Sequence, residues 1–137
     1  MSDIPARLRR LVASRAGDRC EYCRLAQKGQ EATFHIDHIL PKSGGGRTSA
    51  ANLALACVSC SLRKEARRSA IEPNTKRRVA LFHPRRQRWQ VHFGWEGFRI
   101  IGLTPTGRAT VAALQMNRPL ILAIRQEGSA RGQSSER

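Results

Sequence analysis

Two cysteine pairs frame a short segment of the chain that could bind metal and move a proton. The pairs are Cys20 with Cys23 and Cys57 with Cys60. Two cysteines separated by two residues present both thiolates to one ion, and a second pair completes the tetrahedral set of a structural zinc site. Between the pairs, the segment FHIDHILP places a carboxylate, Asp37, beside an imidazole, His38. A carboxylate suits a hard cation such as magnesium, and an imidazole can accept a proton at neutral pH.

The cysteines could instead form disulfides or remain free thiols, and the compartment decides between these alternatives. The amino-terminal segment MSDIPARLRR lacks the apolar stretch of a signal peptide, and no apolar run approaches the roughly 20 residues that span a bilayer. These features predict a cytoplasmic protein that does not cross a membrane. In a reducing compartment, cysteines in paired spacing indicate zinc ligands rather than disulfides.

The composition predicts a polyanionic partner. Lys and Arg number 25 against 10 Asp and Glu, which gives a formal net charge of +15 in 137 residues. Each phosphate that Lys or Arg neutralises releases condensed counterions, so nucleic acid is the expected partner, with a membrane surface as the alternative. The length fits one compact domain, or one domain with an appended half, and excludes a large two-domain enzyme.

Pattern and turn signals predict an α+β fold in which short elements surround the Asp-His segment. The amino-terminal elements are a helix from Asp3 to Ala16 capped by Ser2 or Asp3, strands at Ala32 to Ile36 and Leu53 to Ala56, a glycine-rich loop from Lys42 to Asn52, and a helix from Val58 to Ser69. The order is therefore helix, strand, loop, strand, helix.

A change in pattern near Ile71 predicts a boundary, with a turn or insertion at EPNTKRR. The later elements are a hairpin of Arg88 to Phe93 with Phe98 to Leu103, a helix from Thr104-Pro105 to about Met116, and a helix from Asn117 or Pro119 to Gln126. We therefore expect a core at 1–70, an extension at 71–127 and a disordered polar tail at 128–137.

The segments HIDHILPKSGGG and NLALAC, followed by CxxC and SLRK, resemble the HNH endonuclease family with its ββα-metal fold. The resemblance implies that Asp37 binds a catalytic Mg²⁺ or Mn²⁺ and that His38 deprotonates the water that attacks a DNA phosphodiester. It implies that Asn52 holds the loop and orients His38. It also implies that the four cysteines hold a structural Zn²⁺ that fixes this core. Strict alternation would send Asp37 and His38 to opposite faces, so we expect the strand to distort there.

One position departs from the family pattern. The residue after the last cysteine is usually His or Asn in this family, and here it is Ser61. A hydroxyl is a weaker ligand, although it could hold a metal-bound water. His35 lies two residues before Asp37 and projects to the same side of an ideal strand, so it is a candidate substitute ligand or phosphate contact. The alternative is that His35 only supports the strand.

Basic residues around the site are candidates for phosphate contacts. They are Lys42, Arg63, Lys64, Arg67 and Arg68. The alternative is an ordinary solvated helix face, which would normally mix both signs of charge. The sequence encodes no evident DNA target, which favours low intrinsic sequence specificity. A catalytically inactive zinc module that binds nucleic acid is the competing hypothesis, with Ser61 marking loss of the site.

Overall fold

The computed structural model describes residues 4–130. The chain has the predicted α+β fold, with three antiparallel two-stranded sheets in the described part. Its elements are α1 (Ala6–Arg15), β1 (His35–His38), β2 (Leu53–Ala56), α2 (Val58–Lys64), β3 (Ser69–Ile71), β4 (Arg78–Ala80), α3 (Trp89–His92), β5 (Phe93–Glu96), β6 (Arg99–Gly102), α4 (Pro105–Ala113) and α5 (Pro119–Ala130). The predicted cap of α1, Ser2 or Asp3, lies outside the described residues, and α1 begins after Pro5.

The β1–β2 hairpin and helix α2 form the ββα unit. All four residues of β2 are buried, since both faces of this short apolar strand are covered. The side chain of Cys57 caps α2 by accepting a hydrogen bond from the Cys60 amide at 3.4 Å. The helix ends at Lys64 because Glu65 adopts a left-handed φ of 49°. The prediction of a helix as far as Ser69 was therefore wrong, and Ser69 begins β3.

Strand β1 begins later in the sequence than predicted and contains the Asp-His pair. The predicted strand was Ala32 to Ile36, whereas the observed one is His35–His38. Its register with β2 is continuous, with Asp37 opposite Ala54 and His38 opposite Leu53. The expected distortion is therefore absent from β1, and Asp37 and His38 have different neighbours on the two sides of a regular strand.

The loop between β1 and β2 turns tightly around one glycine. Short 3-10 turns occupy Lys42–Gly44 and Ala50–Asn52. A Cβ at Gly46 would lie 1.8 Å from the Leu40 carbonyl oxygen and 2.9 Å from Asn52 Nδ2, so no larger residue fits. The close approach of these two parts of the loop depends on that absence of a side chain.

In the second half of the chain, one prediction is confirmed and two differ from the structure. Of the two alternatives for EPNTKRR, the turn is observed: residues 72–77 connect β3 to β4, and Arg78 begins β4. The predicted strand Arg88 to Phe93 is mostly the short helix α3, closed by a hydrogen bond from the Val91 amide to the Arg88 carbonyl at 3.1 Å, and the hairpin pairs β5 with β6. Helix α5 continues through Ala130, so Gly128 to Ala130 are helical rather than tail, and residues 131–137 lie outside the description.

The cap of α4 is confirmed, because Thr104 Oγ1 accepts a hydrogen bond from the Gly107 amide at 3.0 Å. Both α4 and α5 are short, at 9 and 12 residues. Within residues 4–130, no helix combines the length and apolar character needed to cross a membrane.

One hydrophobic core joins the two halves of the chain. Val12 and Leu53 from the first half share it with Phe93, Leu114 and Ile121 from the second. Two polar contacts reinforce this packing: Trp89 Nε1 donates to the Tyr22 carbonyl at 2.9 Å, and buried Arg125 donates to the Cys23 carbonyl at 3.2 Å. The second half therefore packs directly against the turn between the first two cysteines.

Candidate active site and metal centre

The four cysteines converge on one buried point. They come from the turn Cys20–Cys23 and from the start of α2, and their sulfur atoms all lie within 4.8 Å of one another. Cys23 Sγ and Cys57 Sγ are 3.7 Å apart. This agrees with the sulfur separation of ~3.8 Å around a tetrahedral ion with bonds of about 2.3 Å. All four are free thiols. The arrangement fits a structural zinc ion and not a pair of disulfides.

The two cysteine turns have the same local geometry. The Cys23 amide donates to Cys20 Sγ, and the Cys60 amide donates to Cys57 Sγ, each at 3.4 Å. Burial raises the pKa of the Cys20 thiol well above its ordinary value, whereas hydrogen bonds from the other three thiols lower the pKa of Cys57. A cation at the centre would favour the thiolate form of all four. Within residues 4–130 this cluster is the one grouping of three or more His, Cys, Asp or Glu side chains close enough to share a metal ion.

The Asp-His segment lines a surface groove beside this cluster, with a volume of about 570 Å³. The predicted site residues that line it are His35, Asp37, His38, Lys42 and Ser61. Strand β1 supplies the first three, and α2 supplies Ser61. Asn52 does not line this groove but holds the loop that borders it. The groove therefore collects most of the predicted site.

Asp37 is 9% exposed and lies between two partners that the sequence did not reveal. Lys64 Nζ is 3.1 Å from Asp37 Oδ2, and the Tyr22 hydroxyl donates to the same oxygen at 3.3 Å. Burial raises the pKa of Asp37, and the charge of Lys64 partly offsets this effect. The carboxyl group is thus held in place at a cost in desolvation, as at many functional sites.

Lys64, which the sequence offered as a nucleic-acid contact, is buried in the structure. Lys64 is 2% exposed, and its ammonium donates to the carbonyls of His38 and Ile39 at 3.3 and 3.2 Å in addition to pairing with Asp37. The ammonium is thus bound to internal partners, and its contact with nucleic acid stays a prediction. Its position fixes the main chain at the end of β1.

His38 is held by a loop residue that sequence reasoning missed. Its Nε2 lies 2.8 Å from the Thr48 hydroxyl, which orients the imidazole. The side chain of Asn52 bonds the main chain beyond His38: Oδ1 accepts from the Leu40 amide at 2.8 Å, and Nδ2 donates to the carbonyls of Leu40 and Arg47, both at 2.9 Å. Through these three hydrogen bonds, Asn52 holds the loop between β1 and β2.

His35 and Ser61 contact each other across the groove. His35 Nδ1 is 2.8 Å from Ser61 Oγ, so the two side chains that the sequence offered as alternative ligands are neighbours. Glu65 lies on the same groove and is exposed, although its position gave no signal in the sequence. The groove therefore presents two carboxylates, two imidazoles and the hydroxyls of Ser61 and Thr33.

The other predicted basic residues differ in their environment. Arg63 Nε donates to Ser59 Oγ at 3.2 Å, and Arg67 donates to the Arg63 carbonyl at 2.7 Å. Arg67 and Arg68 are exposed and line a second hollow, separate from the groove. Near the β5–β6 hairpin, Trp89 and Phe93 pack into the core, with ring centroids 5.1 Å apart, and Trp95 packs against it, whereas Phe98 is exposed.

The geometry defines a class of protein: a ββα module with a four-cysteine metal site and an Asp-His pair on its first strand. Residues 20–67 match the model of a family described as HNH endonuclease, so the resemblance inferred from the sequence is confirmed and this part of the chain is an HNH domain. The match covers about a third of the 137 residues and includes every cysteine, Asp37, His38, Asn52 and Ser61. Searches of curated proteins and of solved structures each found no match.

Proposed function

We propose that the protein is a metal-dependent endonuclease that hydrolyses DNA phosphodiester bonds with little intrinsic sequence preference. The observation that carries the proposal is the convergence of His38, Asp37, His35 and Ser61 on one groove, beside the zinc-type cluster of an HNH domain. The net charge of +15 supports a polyanionic substrate.

His38 is the proposed general base. It accepts a proton from a water molecule in the groove, whose oxygen then attacks phosphorus, and the bond from phosphorus to the 3′ oxygen breaks. The hydrogen bond to Thr48 and the loop contacts of Asn52 hold the imidazole in one orientation, which a general base requires before its pKa matters. Lys42, which lines the groove, is the proposed phosphate contact there, whereas Arg63 on α2 lines a separate hollow.

The groove offers donors that fit a hard divalent ion. The oxygen atoms of Asp37 and Ser61, with His35 as a nitrogen donor, are the proposed ligands for Mg²⁺ or Mn²⁺. Such an ion, when bound, stabilises charge on the phosphoryl oxygens and on the leaving 3′ oxygen.

One observation favours the competing hypothesis of a catalytically inactive module that binds nucleic acid. The ammonium of Lys64 and the Tyr22 hydroxyl both contact Asp37 Oδ2, so a divalent ion binds Oδ1 or competes with them for Oδ2. If these partners keep the carboxylate from a metal ion, the groove holds DNA without cleaving it. The two functions therefore differ in whether the Asp37 carboxylate can serve a metal ion.

The deciding experiment is nicking of supercoiled plasmid by the zinc-loaded protein with added magnesium or manganese. We expect His38→Ala to lower the nicking rate by about a hundredfold or more, the usual contribution of a general base, while plasmid binding is retained. His92→Ala is the matched control, because His92 does not line the groove and its imidazole bonds Thr104 in the second half of the chain. If wild type and His38→Ala bind plasmid equally and neither cuts it, the protein is the inactive module.

A further inference from the structure

A second hollow lies on the other side of the glycine-rich loop, with a volume of about 660 Å³. The same two segments border both hollows. In the loop region, His38, Pro41 and Lys42 line the catalytic groove, whereas Leu40, Arg47 and Asn52 line the second hollow. After α2, Glu65 and Ala66 line the groove, while Arg67 and Arg68 line the second hollow. We name this second hollow the basic cleft.

The second half of the chain closes the basic cleft. Ala80, Leu81 and Phe82 at the end of β4 contribute an apolar wall, and His83, Arg86 and Gln87 follow in the next turn. Leu81 and Phe82 are buried, and the Leu81 amide donates to the Arg68 carbonyl at 2.9 Å, which ties this wall to the residues after α2. The cleft is therefore built by the HNH domain and the second half together.

The rim of the basic cleft is cationic. Arg47, the adjacent Arg67 and Arg68, and Arg86 line it from three segments, and all four are exposed; the buried Lys64 also lines the cleft. Within residues 4–130, no Asp or Glu lines this cleft. Burial lowers the pKa of His83, and the nearby charge of Arg86 lowers it further, consistent with a positive potential in the cleft. A positive rim without carboxylates suits a phosphate group, which arginine can bind through two parallel hydrogen bonds.

The cleft is too large and too apolar for a phosphate group alone. Its volume is in the range of sites that hold small organic ligands. Ala80, Leu81 and Phe82 line the cleft together with Ile39 and Leu40. These five residues form an apolar floor suited to a flat ring or a sugar. Duplex DNA presents its phosphates on a convex surface and keeps its bases stacked inside, so it would leave this floor unfilled. An unpaired nucleotide matches both parts of the lining.

We propose that the basic cleft binds one unpaired nucleotide of a nucleic-acid strand, with its phosphate on the arginine rim and its base and sugar on the apolar floor. This inference rests on the proposed function for the identity of the partner as nucleic acid, and it adds a site outside the catalytic groove. Because the loop that carries Thr48 separates the two hollows, a strand that enters the cleft is guided past His38.

The test measures binding of a short fluorescein-labelled single-stranded oligodeoxynucleotide to the full zinc-loaded chain without added magnesium or manganese. The cleft variant is Arg68→Gln with Arg86→Gln. The control variant is Arg77→Gln with Arg99→Gln, which removes the same charge from exposed positions that do not line the cleft. Circular dichroism checks that both fold as the wild type does.

We expect the cleft variant to bind at least about tenfold more weakly than the control variant, because a hydrogen bond to a charged group contributes about that factor or more. The slope of log affinity against log salt should become shallower by about 0.7 for each phosphate that the variant no longer neutralises. A deoxynucleoside monophosphate should displace the labelled strand at a far lower concentration than inorganic phosphate, and a duplex of equal length should compete less well than the single strand.

Equal weakening by the two variants would overturn the proposal, because only net charge would then matter. Displacement by inorganic phosphate as readily as by the nucleotide would overturn it too, as would tighter competition by the duplex. Failure here is distinguishable from failure of the proposed function. A wild type that nicks plasmid while the cleft variant binds like the control contradicts the cleft alone, whereas selective cleft binding without any nicking contradicts the nuclease alone.

Discussion

At the scale of single residues, the pair of Asp37 and Lys64 is the least expected feature of the site. Both side chains are nearly inaccessible, and the ammonium also bonds two main-chain carbonyls at the end of β1. Taking charges out of water is costly, and a buried pair recovers that cost only when its geometry and hydrogen bonds are good. Lys64 therefore supports the geometry of the site from inside the protein.

Replacing Lys64 by Met should destabilise the fold by roughly 3–5 kcal/mol, because the Asp37 carboxylate would be left buried without its partner. Urea unfolding of the zinc-loaded protein measures this change. Lys28→Met is the control, since Lys28 is exposed and its replacement should cost less than about 0.5 kcal/mol. A Lys64→Met variant as stable as the wild type would show that the pair contributes nothing to the fold.

The pKa of Asp37 leads to a prediction about pH. Burial raises this pKa in the folded protein, so the fold favours the protonated carboxyl group. The contribution of Asp37 to the free energy of unfolding is therefore full below the pKa of the unfolded chain, which is about 4. It is lost as the pH rises through the higher pKa of the folded protein. Relative to Asp37→Asn, which does not titrate, the wild type should lose unfolding free energy as the pH rises from about 4. Paired urea titrations across this range measure the difference, and parallel curves would contradict the prediction.

The sequence could predict the cysteine cluster but not the partners of Asp37. Two cysteines separated by two residues can be recognised from the sequence alone, because their spacing places both sulfur atoms close together in a turn. The structure brings all four sulfur atoms together. Tyr22 and Lys64 carry no such signal, because their contacts with Asp37 join the cysteine turn, the strand and the helix end, three segments distant in sequence. Only the packing of these segments reveals the pair.

At the scale of elements, the loop between β1 and β2 decides where His38 and Asn52 lie. Its path brings Gly46 against the Leu40 carbonyl, and Asn52 bonds both the Leu40 and Arg47 main chains. The sequence indicated this loop through its glycines, but it could not distinguish the one glycine that the geometry requires from its neighbours.

Substituting Gly46 by Ala should displace the loop, because the new Cβ would overlap the Leu40 carbonyl oxygen. If the proposed function is correct, nicking should fall by about a hundredfold, the usual effect of a misplacement near 1 Å. Gly44→Ala is the matched control: its Cβ would meet its nearest neighbours at an ordinary 3.7 Å, so its nicking rate should equal that of the wild type. Equal reduction in both variants would mean that the loop is sensitive everywhere and not at the predicted contact.

Some elements were predictable, and the reasons for the errors are physical. Strand β2 has the predicted bounds because four consecutive buried apolar residues leave no alternative register. Strand β1 is displaced from its prediction because pairing with β2, and not its own alternation, sets its limits. The segment from Trp89 to His92 alternates like a strand, yet it closes into a helical turn that places Trp89 against the cysteine turn.

At the scale of the whole molecule, the first and second halves share one core. The division at residue 70 stays a prediction, and the packing shows how closely the two parts interact: Arg125 donates to the carbonyl of Cys23 in the first half, as well as to those of Phe98 and Met116 in its own half. The change in sequence pattern near Ile71 indicated new elements correctly, but composition carries no information about which buried surfaces meet.

Removing zinc should therefore unfold both halves together. A structural zinc site contributes on the order of 10 kcal/mol, comparable with the whole stability of a typical domain. During titration with a strong chelator, helical circular dichroism and the emission of Trp89 and Trp95 should change at the same chelator concentration, since both indoles lie near the cysteine turn. Restored zinc should reverse both signals. Cysteines that become reactive while tryptophan emission is unchanged would contradict a shared core.

The contacts of Trp89 and Arg125 also determine whether residues 20–67 could be moved into another protein. Cutting the chain after position 70 would strip the Tyr22 and Cys23 carbonyls of these donors and expose the apolar side chains that Phe93, Leu114 and Ile121 now cover. An engineer who grafts residues 20–67 onto another protein as a portable cutting module would have to rebuild that apolar surface. The part of the chain that packs as one unit is therefore larger than the segment 20–67 that identifies the family.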